Sequence, residues 1–266
     1  MTREVGRQDS GKQATAPSQT NRVLMVWGFV VAYFAVVYLA ASRMGSTNQQ
    51  QMPSSFSFLN AIMVVDSALF AFVPIMLFLI YFVKHYEGGS LKSTISSLGL
   101  NRKGVGRSLL WSMVFMALLA LAIVLWEGVI VGLFGSGFAT AQTLVSNIPQ
   151  WYAIVAMIPI LLNAIMEESV GRGYMLDRLM PSHPAGLRAS LPSVLGVSFL
   201  GMLYHIPTYF LGYHFSPLSA IFNFGVVFLS FTFVGLGYVR SRVRNISGPI
   251  LVHFLLDAAS YLLVIL

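Results

Sequence analysis

The sequence predicts an all-α polytopic membrane protein, a bundle of about seven transmembrane helices. Of its 266 residues, 56% are hydrophobic and only 9% are charged, whereas soluble proteins carry about 25% charged residues. A chain with so few polar side chains cannot bury its apolar surface in a water-soluble core. Apolar runs of about 20 residues, the length that spans a bilayer, recur near 23–42, 59–83, 108–134, 151–171, 190–212, 217–239 and 246–266.

The placement of the basic residues predicts the orientation of the bundle. Of the 16 lysines and arginines, all but Arg43 lie in the N-terminal tail or in the loops 84–107, 172–189 and 240–245. Because Lys and Arg near helix ends stay on the cytoplasmic side, we expect the N-terminus in the cytoplasm and the C-terminus outside. The net charge of +7 therefore reflects topology, and no nucleic-acid partner is predicted.

The domain organisation is expected to be simple. Residues 1–22 are polar and lack periodicity, so they are predicted to form a disordered cytoplasmic tail. Residues 23–266 are predicted to form a single membrane domain that carries the function. The chain contains no cysteine, which excludes disulfides, thiolate metal sites and thiol nucleophiles.

Ionisable side chains within the apolar runs indicate that the chemistry lies inside the membrane. Such a residue costs about 2.5 to 3.5 kcal/mol on insertion scales and usually faces a polar cavity or a partner. Three patterns in the C-terminal half place several of them on different helices: Glu167-Glu168-x-x-x-Arg172, His205 and His253-x-x-x-Asp257. The four-residue spacings bring Arg172 to Glu168 and Asp257 to His253. Together these groups are expected to surround one water molecule.

Each pattern also has a structural interpretation. A glutamate pair at a helix end can be an interfacial cap, and a histidine can simply hydrogen-bond between helices. Asp66 and Glu127 also lie in apolar runs, without a partner at helical spacing. We expect these two to be buried and to make structural hydrogen bonds.

The three patterns, taken together and in this order, resemble the CPBP or Abi family of intramembrane proteases. This family includes the type-II CAAX prenyl endopeptidases and bacterial bacteriocin-processing and self-immunity proteins. It carries Glu-Glu-x-x-x-Arg, Phe-x-x-x-His and His-x-x-x-Asn/Asp motifs on successive core helices. The resemblance covers about 160–258, and the segment 97–102 resembles one that is common upstream in such proteins.

The resemblance has two departures. Gly201 stands four residues before His205, where the family has phenylalanine, and Gly171 replaces the aromatic residue that commonly precedes the arginine. Phe199 is expected to fill the first of these gaps from another helical turn. The groups capable of chemistry are all retained, so the departures bear on the substrate class more than on catalysis.

The resemblance implies hydrolysis of a peptide bond in a membrane-associated or lipidated protein or peptide. One glutamate, either Glu168 beside Arg172 or Glu167, would activate a water molecule. His205 and His253 would stabilise the oxyanion or protonate the leaving amine, and Asp257 would orient His253.

No cofactor is expected, although the family has been described both as metalloproteases and as glutamate-dependent proteases. If a metal such as zinc were bound, its ligands would be Glu167, Glu168, His205 and His253. The sequence contains no H-E-x-x-H helix of the kind that zinc proteases use.

Two other function classes stay open at the level of sequence. One is a non-catalytic membrane scaffold or bacteriocin self-immunity factor with the same fold. The other is an ion-coupled transporter, in which buried Asp, Glu and His residues are equally expected, although the chain shows no pair of matching halves. A short chain with only the family's core features favours a prokaryotic plasma membrane. The expected partners are the lipid bilayer and a protein or peptide substrate, and the sequence leaves the oligomeric state undetermined.

Overall fold

The computed structural model of the protein describes residues 17–43, 58–135, 150–181, 186–212 and 217–262. Within these ranges the chain is helical and contains no strand. The α-helices are α1 (Gln19–Arg43), α2 (Phe58–Glu87), α3 (Leu91–Ser97), α4 (Val105–Phe134), α5 (Gln150–Glu168), α6 (Asp177–Leu179), α7 (Leu187–Tyr204), α8 (Pro217–Ser241) and α9 (Ser247–Leu262). Two π-helices accompany them, Ser169–Leu176 between α5 and α6 and Thr208–Gly212 after α7.

The all-helical bundle with about seven spans is confirmed. Six helical segments are long and apolar enough to cross a membrane, and α9 adds a shorter apolar helix. The boundaries differ from the predicted ones by several residues in places. Helix α1 already begins at Gln19, and the fourth span continues beyond Arg172 to Leu179. Residues 1–16 of the predicted disordered tail lie outside the described residues.

The prediction that Asp66 and Glu127 are buried is wrong, because both side chains are exposed on the surface of the protein. Helix α4 explains the error for Glu127. This helix is apolar on all sides, and its neighbours Val124 and Leu125 are 63% and 62% exposed. A helix that is apolar all round has no periodicity to separate its core-facing side from its lipid-facing side.

The core of the bundle encloses the π-helix Ser169–Leu176, whose eight residues are all buried. Gly173 lies where this helix meets the loop after α3. A Cβ atom at Gly173 would stand 2.2 Å from the carbonyl oxygen of Leu98, so only glycine permits this approach. The segment 97–102 therefore braces the π-helix directly.

The same loop is also tied to the loop between α8 and α9. The side-chain amide of Asn101 donates to the carbonyl oxygen of Arg244 at 2.6 Å. In turn, the side-chain amide of Asn245 donates to the carbonyl oxygen of Asn101, also at 2.6 Å. A third bond, from the Ile246 amide to the Gly99 carbonyl oxygen at 3.2 Å, fixes the start of α9.

Helix α9 approaches α4 closely through small residues. The hydroxyl of Ser108 donates to the Asn245 carbonyl oxygen at 2.7 Å and accepts from the Gly248 amide at 3.1 Å. A Cβ atom on Gly248 would lie 2.3 Å from the Ser108 carbonyl oxygen. Small residues of this kind let membrane helices pack backbone to backbone, and here they fix the position of α9 beside α4.

We expect Gly248→Ala to destabilise the bundle by about 1–3 kcal/mol, the usual cost of forcing an extra methyl group into a filled contact. Gly132→Ala is the matched control, because nothing lies within 4 Å of a Cβ atom at that position of α4. Thermal unfolding of the purified proteins in detergent measures the difference. Equal melting temperatures for the two variants would contradict the proposed contact.

Candidate active site

A cavity of about 280 Å³ lies between α4, α5, α8 and α9, within the apolar part of the bundle. Its depth follows from α9, where His253 lies six residues from the start of the helix, about 9 Å along it at 1.5 Å per residue. The cavity brings together every site residue that the sequence predicts, since its wall contains Glu167, Glu168, Arg172, His205, His253 and Asp257.

Glu168 is the most tightly held of these groups. Its Oε1 atom accepts from Arg172 Nη1 at 2.8 Å, and the two side chains are 1% and 2% exposed. The same oxygen lies 2.9 Å from His253 Nδ1. The other oxygen, Oε2, is buried and has no hydrogen-bond partner among the described residues. Glu168 thus links the π-helix to α9 through one oxygen atom.

Arg172 is held on its other side by α8. Its Nη2 atom donates to the Phe231 carbonyl oxygen at 3.1 Å, and its guanidinium lies 4.1 Å from the centre of the Phe231 ring. A cation over an aromatic face is attracted most strongly where water is excluded. The buried arginine is therefore fixed between a carboxylate and an aromatic ring.

The ring of Phe231 also fills the space left by the two glycines that depart from the family motifs. A Cβ atom would lie 3.2 Å from Phe231 Cε1 at Gly171 and 2.5 Å from the same atom at Gly201. Phe199, in contrast, is 51% exposed, so the expectation that Phe199 fills the gap is wrong. Its position six residues before His205 turns it to the outside of α7, whereas α8 supplies the aromatic ring from across the bundle.

Glu167 faces a different set of partners from its neighbour Glu168. Its Oε1 atom accepts from Asn163 Nδ2 at 2.9 Å and lies 3.8 Å from His205 Nε2. Its Oε2 atom lies 3.7 Å from His253 Nε2. Both histidine separations exceed a direct hydrogen bond, and they suit a bridging water molecule.

His205 is oriented by its own helix. Its Nδ1 atom lies 2.8 Å from the Gly201 carbonyl oxygen, and because a carbonyl only accepts, Nδ1 carries the hydrogen. The imidazole stacks on Tyr204, with ring centres 4.3 Å apart. These contacts leave Nε2 pointing towards Glu167.

Asp257 contacts His253 less closely than the sequence suggests. Its Oδ2 atom lies 3.4 Å from His253 Nε2, and its side chain is 41% exposed. The shorter contact of this imidazole is the one between Nδ1 and Glu168. Each ring nitrogen therefore faces a carboxylate, an arrangement that favours an N–H donor at both positions.

Three residues of the site are absent from the sequence prediction: Asn163, Tyr204 and Phe231. Asn163 is a polar side chain one helical turn before Glu167 in an apolar run, and this spacing was the available signal. The buried hydroxyl of Tyr204 approaches the carboxylate of Glu167 without forming a well-directed hydrogen bond. Phe231 gives no sequence signal, because it lies on another helix among many other aromatic residues.

The cavity also contains side chains of the types that bind metal ions. Glu167, Glu168, His205 and His253 are suitable by type. Nevertheless, no group of three or more His, Asp or Glu residues in the described part of the chain is arranged as a ready metal site. Glu168 Oε1 is already shared between Arg172 and His253, so this oxygen is engaged by two donors.

We expect that a phenylalanine at position 201 of α7 can replace Phe231 of α8 in filling the space beside His205. Phe231→Gly should leave a cavity and cost about 3–5 kcal/mol, and Gly201→Phe alone should clash with the Phe231 ring. In the double variant the new ring enters the vacated volume, so the double variant should be less destabilised than the sum of the two single variants, with a coupling of about 0.5–3 kcal/mol. Thermal unfolding checks this, with Phe199→Ala as a neutral control on α7. Additive destabilisation in the double variant would refute the exchange.

Comparison with known protein families gives a match in the C-terminal half of the chain. Residues 149–259 match the family model described as Type II CAAX prenyl endopeptidase Rce1-like. No curated protein and no solved structure matches the chain significantly. The matched range contains all the acidic and histidine side chains of the cavity. Residues 149–259 therefore form a domain similar to the Rce1-like type II CAAX prenyl endopeptidases, in a protein whose described residues include six helices long and apolar enough to cross a membrane.

Proposed function

We propose that the protein is an intramembrane endopeptidase that hydrolyses a peptide bond in a membrane-associated or lipidated protein or peptide, most simply in a prokaryotic plasma membrane. The observation that carries this proposal is the convergence of two glutamates and two histidines on one cavity inside the apolar bundle. The match to the Rce1-like family model supports a protease that acts on a protein substrate at the membrane.

Glu167 is the general base in this proposal, the second of the two alternatives that the sequence left open. Glu168 Oε1 already neutralises Arg172 and holds His253, so its main role is to position them. Glu167 instead faces both imidazoles across gaps of 3.7 and 3.8 Å. A water molecule bridging these gaps is within reach of the base that deprotonates it.

The reaction proceeds in two steps. The Glu167 carboxylate takes a proton from the water, whose oxygen bonds to the carbonyl carbon while the C=O electron pair moves to the oxygen. His253, donating from Nε2, stabilises the oxyanion. Collapse of the tetrahedral intermediate breaks the C–N bond, and the proton held by Glu167 passes to the leaving nitrogen through His205 Nε2. Products are a carboxylic acid and an amine.

Asn163 and Asp257 orient the reacting side chains. The amide of Asn163 donates to Glu167 Oε1 and so fixes the direction of the carboxylate that receives the proton. Asp257 lies beside His253 Nε2 and limits the rotation of the imidazole. No step is routed through a metal ion, so we expect turnover to persist after treatment with a chelator.

The two glutamates should respond differently to the same conservative change. Glu167→Gln keeps the shape of the side chain and should lower kcat at least about 100-fold, the usual contribution of a general base, without lowering the melting temperature. Glu168→Gln removes the charge that pairs with buried Arg172, and breaking such a pair costs about 3–5 kcal/mol. Both are measured on purified protein with fluorogenic membrane-peptide and prenyl-peptide substrates, in parallel with thermal unfolding.

Glu127→Gln is the matched control, because this glutamate is exposed on α4 and lies outside the cavity. It should behave as wild type in both measurements. Wild-type turnover by Glu167→Gln would overturn the assignment of the base. Loss of turnover with chelator, restored by zinc, would overturn the metal-independent mechanism. A well-folded wild type that cleaves no substrate of the panel would favour the non-catalytic scaffold.

A further inference from the structure

A second concave surface, which we name the basic groove, lies where α3 and the loop before α4 meet the loop after α8. It shares no residue with the catalytic cavity. Its lining carries five exposed cationic side chains and no acidic one: Lys92, Arg102, Lys103, Arg242 and Arg244. This surface therefore concentrates positive charge on the side of the bundle predicted to be cytoplasmic.

Most of this charge is not neutralised within the protein. Arg244 pairs with Asp177 Oδ1 at 3.2 Å, whereas the other four cations of the basic groove form no ion pair with the described residues. The neighbouring Arg178 shows the contrast, since its guanidinium binds both Glu87 and Asp177 at 2.6 and 2.9 Å. The groove is thus electrostatically open to an anion.

Apolar side chains line the same groove. Leu91, which is 55% exposed, Ile95 and Val243 lie among the cations. The Ser93 hydroxyl and the Asn101 amide add neutral polar groups to the lining. A surface at the ends of membrane spans that is cationic and apolar at once suits a ligand with an anionic head and hydrocarbon chains.

We propose that the basic groove binds the headgroup of an anionic phospholipid, with the phosphate held by the cations and the acyl chains lying beside the apolar side chains. Basic pockets between helices on the cytoplasmic side are suited to such headgroups. Retention of Lys and Arg on that side explains which face the cations occupy. It does not explain why five of them surround one groove that has no acidic residue.

A bound headgroup would act on the two loops that support the catalytic helices. The loop before α4 touches the π-helix at Gly173 through Leu98, and it is bonded through Asn101 to the loop that begins α9. A phosphate between Lys103 and Arg242 therefore bridges the supports of Arg172 and His253. The proposal concerns a binding site separate from catalysis, and it does not depend on the endopeptidase function.

Arg242 offers a substitution that removes a charge without endangering the fold. With φ of 55° it is the non-glycine residue with positive φ within the described ranges. It occupies the position after α8 where glycine is usual, because a Cβ atom is disfavoured in the left-handed region. Arg242→Gly should therefore relieve backbone strain and at least preserve stability while it weakens the groove.

The experiment measures binding of a fluorescent phosphatidylglycerol to the purified full chain, with fluorescent phosphatidylcholine as the neutral lipid. Each basic residue near an anionic lipid surface contributes about fivefold to affinity. The Lys103→Gln/Arg242→Gly double variant should therefore bind phosphatidylglycerol about 25-fold more weakly. Arg188→Gln is the control, because it removes an exposed positive charge that lies outside the basic groove.

The expected result is saturable binding that prefers phosphatidylglycerol, is weakened in the double variant and is unchanged in Arg188→Gln. Equal affinity for the two lipids, or wild-type affinity in a folded double variant, would overturn the proposal. Displacement of the lipid by an equimolar amount of inorganic phosphate would instead assign the groove to a free anion, and preference for an acidic peptide would assign it to a protein partner. Either of these outcomes also overturns the lipid assignment.

Discussion

The buried ion pair between Glu168 and Arg172 is the interaction on which the rest of the site depends. Two charges removed from water must be satisfied almost completely by the protein, because their desolvation otherwise exceeds their mutual attraction. Here the arginine contacts a carboxylate, main-chain carbonyl oxygens of α8 and the Phe231 ring, while its Nε atom has no hydrogen-bond partner among the described residues. The carboxylate is held through Oε1 by the arginine and His253, and its Oε2 atom is buried without a partner in the described part of the chain. Because of this requirement, the π-helix, α8 and α9 pack together around the ion pair.

The shape of the bundle around this ion pair depends on glycines, which have no side chain and so let other groups come close. Gly171 and Gly201 leave room for the Phe231 ring, Gly173 for the Leu98 carbonyl group and Gly248 for the Ser108 backbone. Because lipid tails are as apolar as the helices, no hydrophobic driving force brings the helices together. Close backbone contact and interhelical hydrogen bonds must therefore supply the attraction. The glycines are therefore as necessary to the geometry of the site as its charged residues.

The candidate site and the loops before α4 and α9 form one continuous structure. The loop before α4 touches the π-helix and is hydrogen-bonded to the start of α9, so the elements carrying Arg172 and His253 share a single support. The proposed lipid site lies on that support, and the proposed chemistry lies about two helical turns deeper. A membrane component that binds the loops is thus mechanically connected to the cavity without lining it.

Local properties of the sequence determined the helical class, the approximate spans and the two four-residue pairings. Hydropathy and helical spacing depend only on neighbours along the chain, and Glu168 with Arg172 shows this clearly. Tertiary structure alone decided which glutamate contacts both Arg172 and His253, which aromatic ring fills the gap beside His205 and which acidic residues are exposed. Glu167 and Glu168 are adjacent in sequence, but about 100° of helical rotation turns them towards different helices. Phe231 and Glu127 depend likewise on which helices pack together, a property that no single apolar segment encodes.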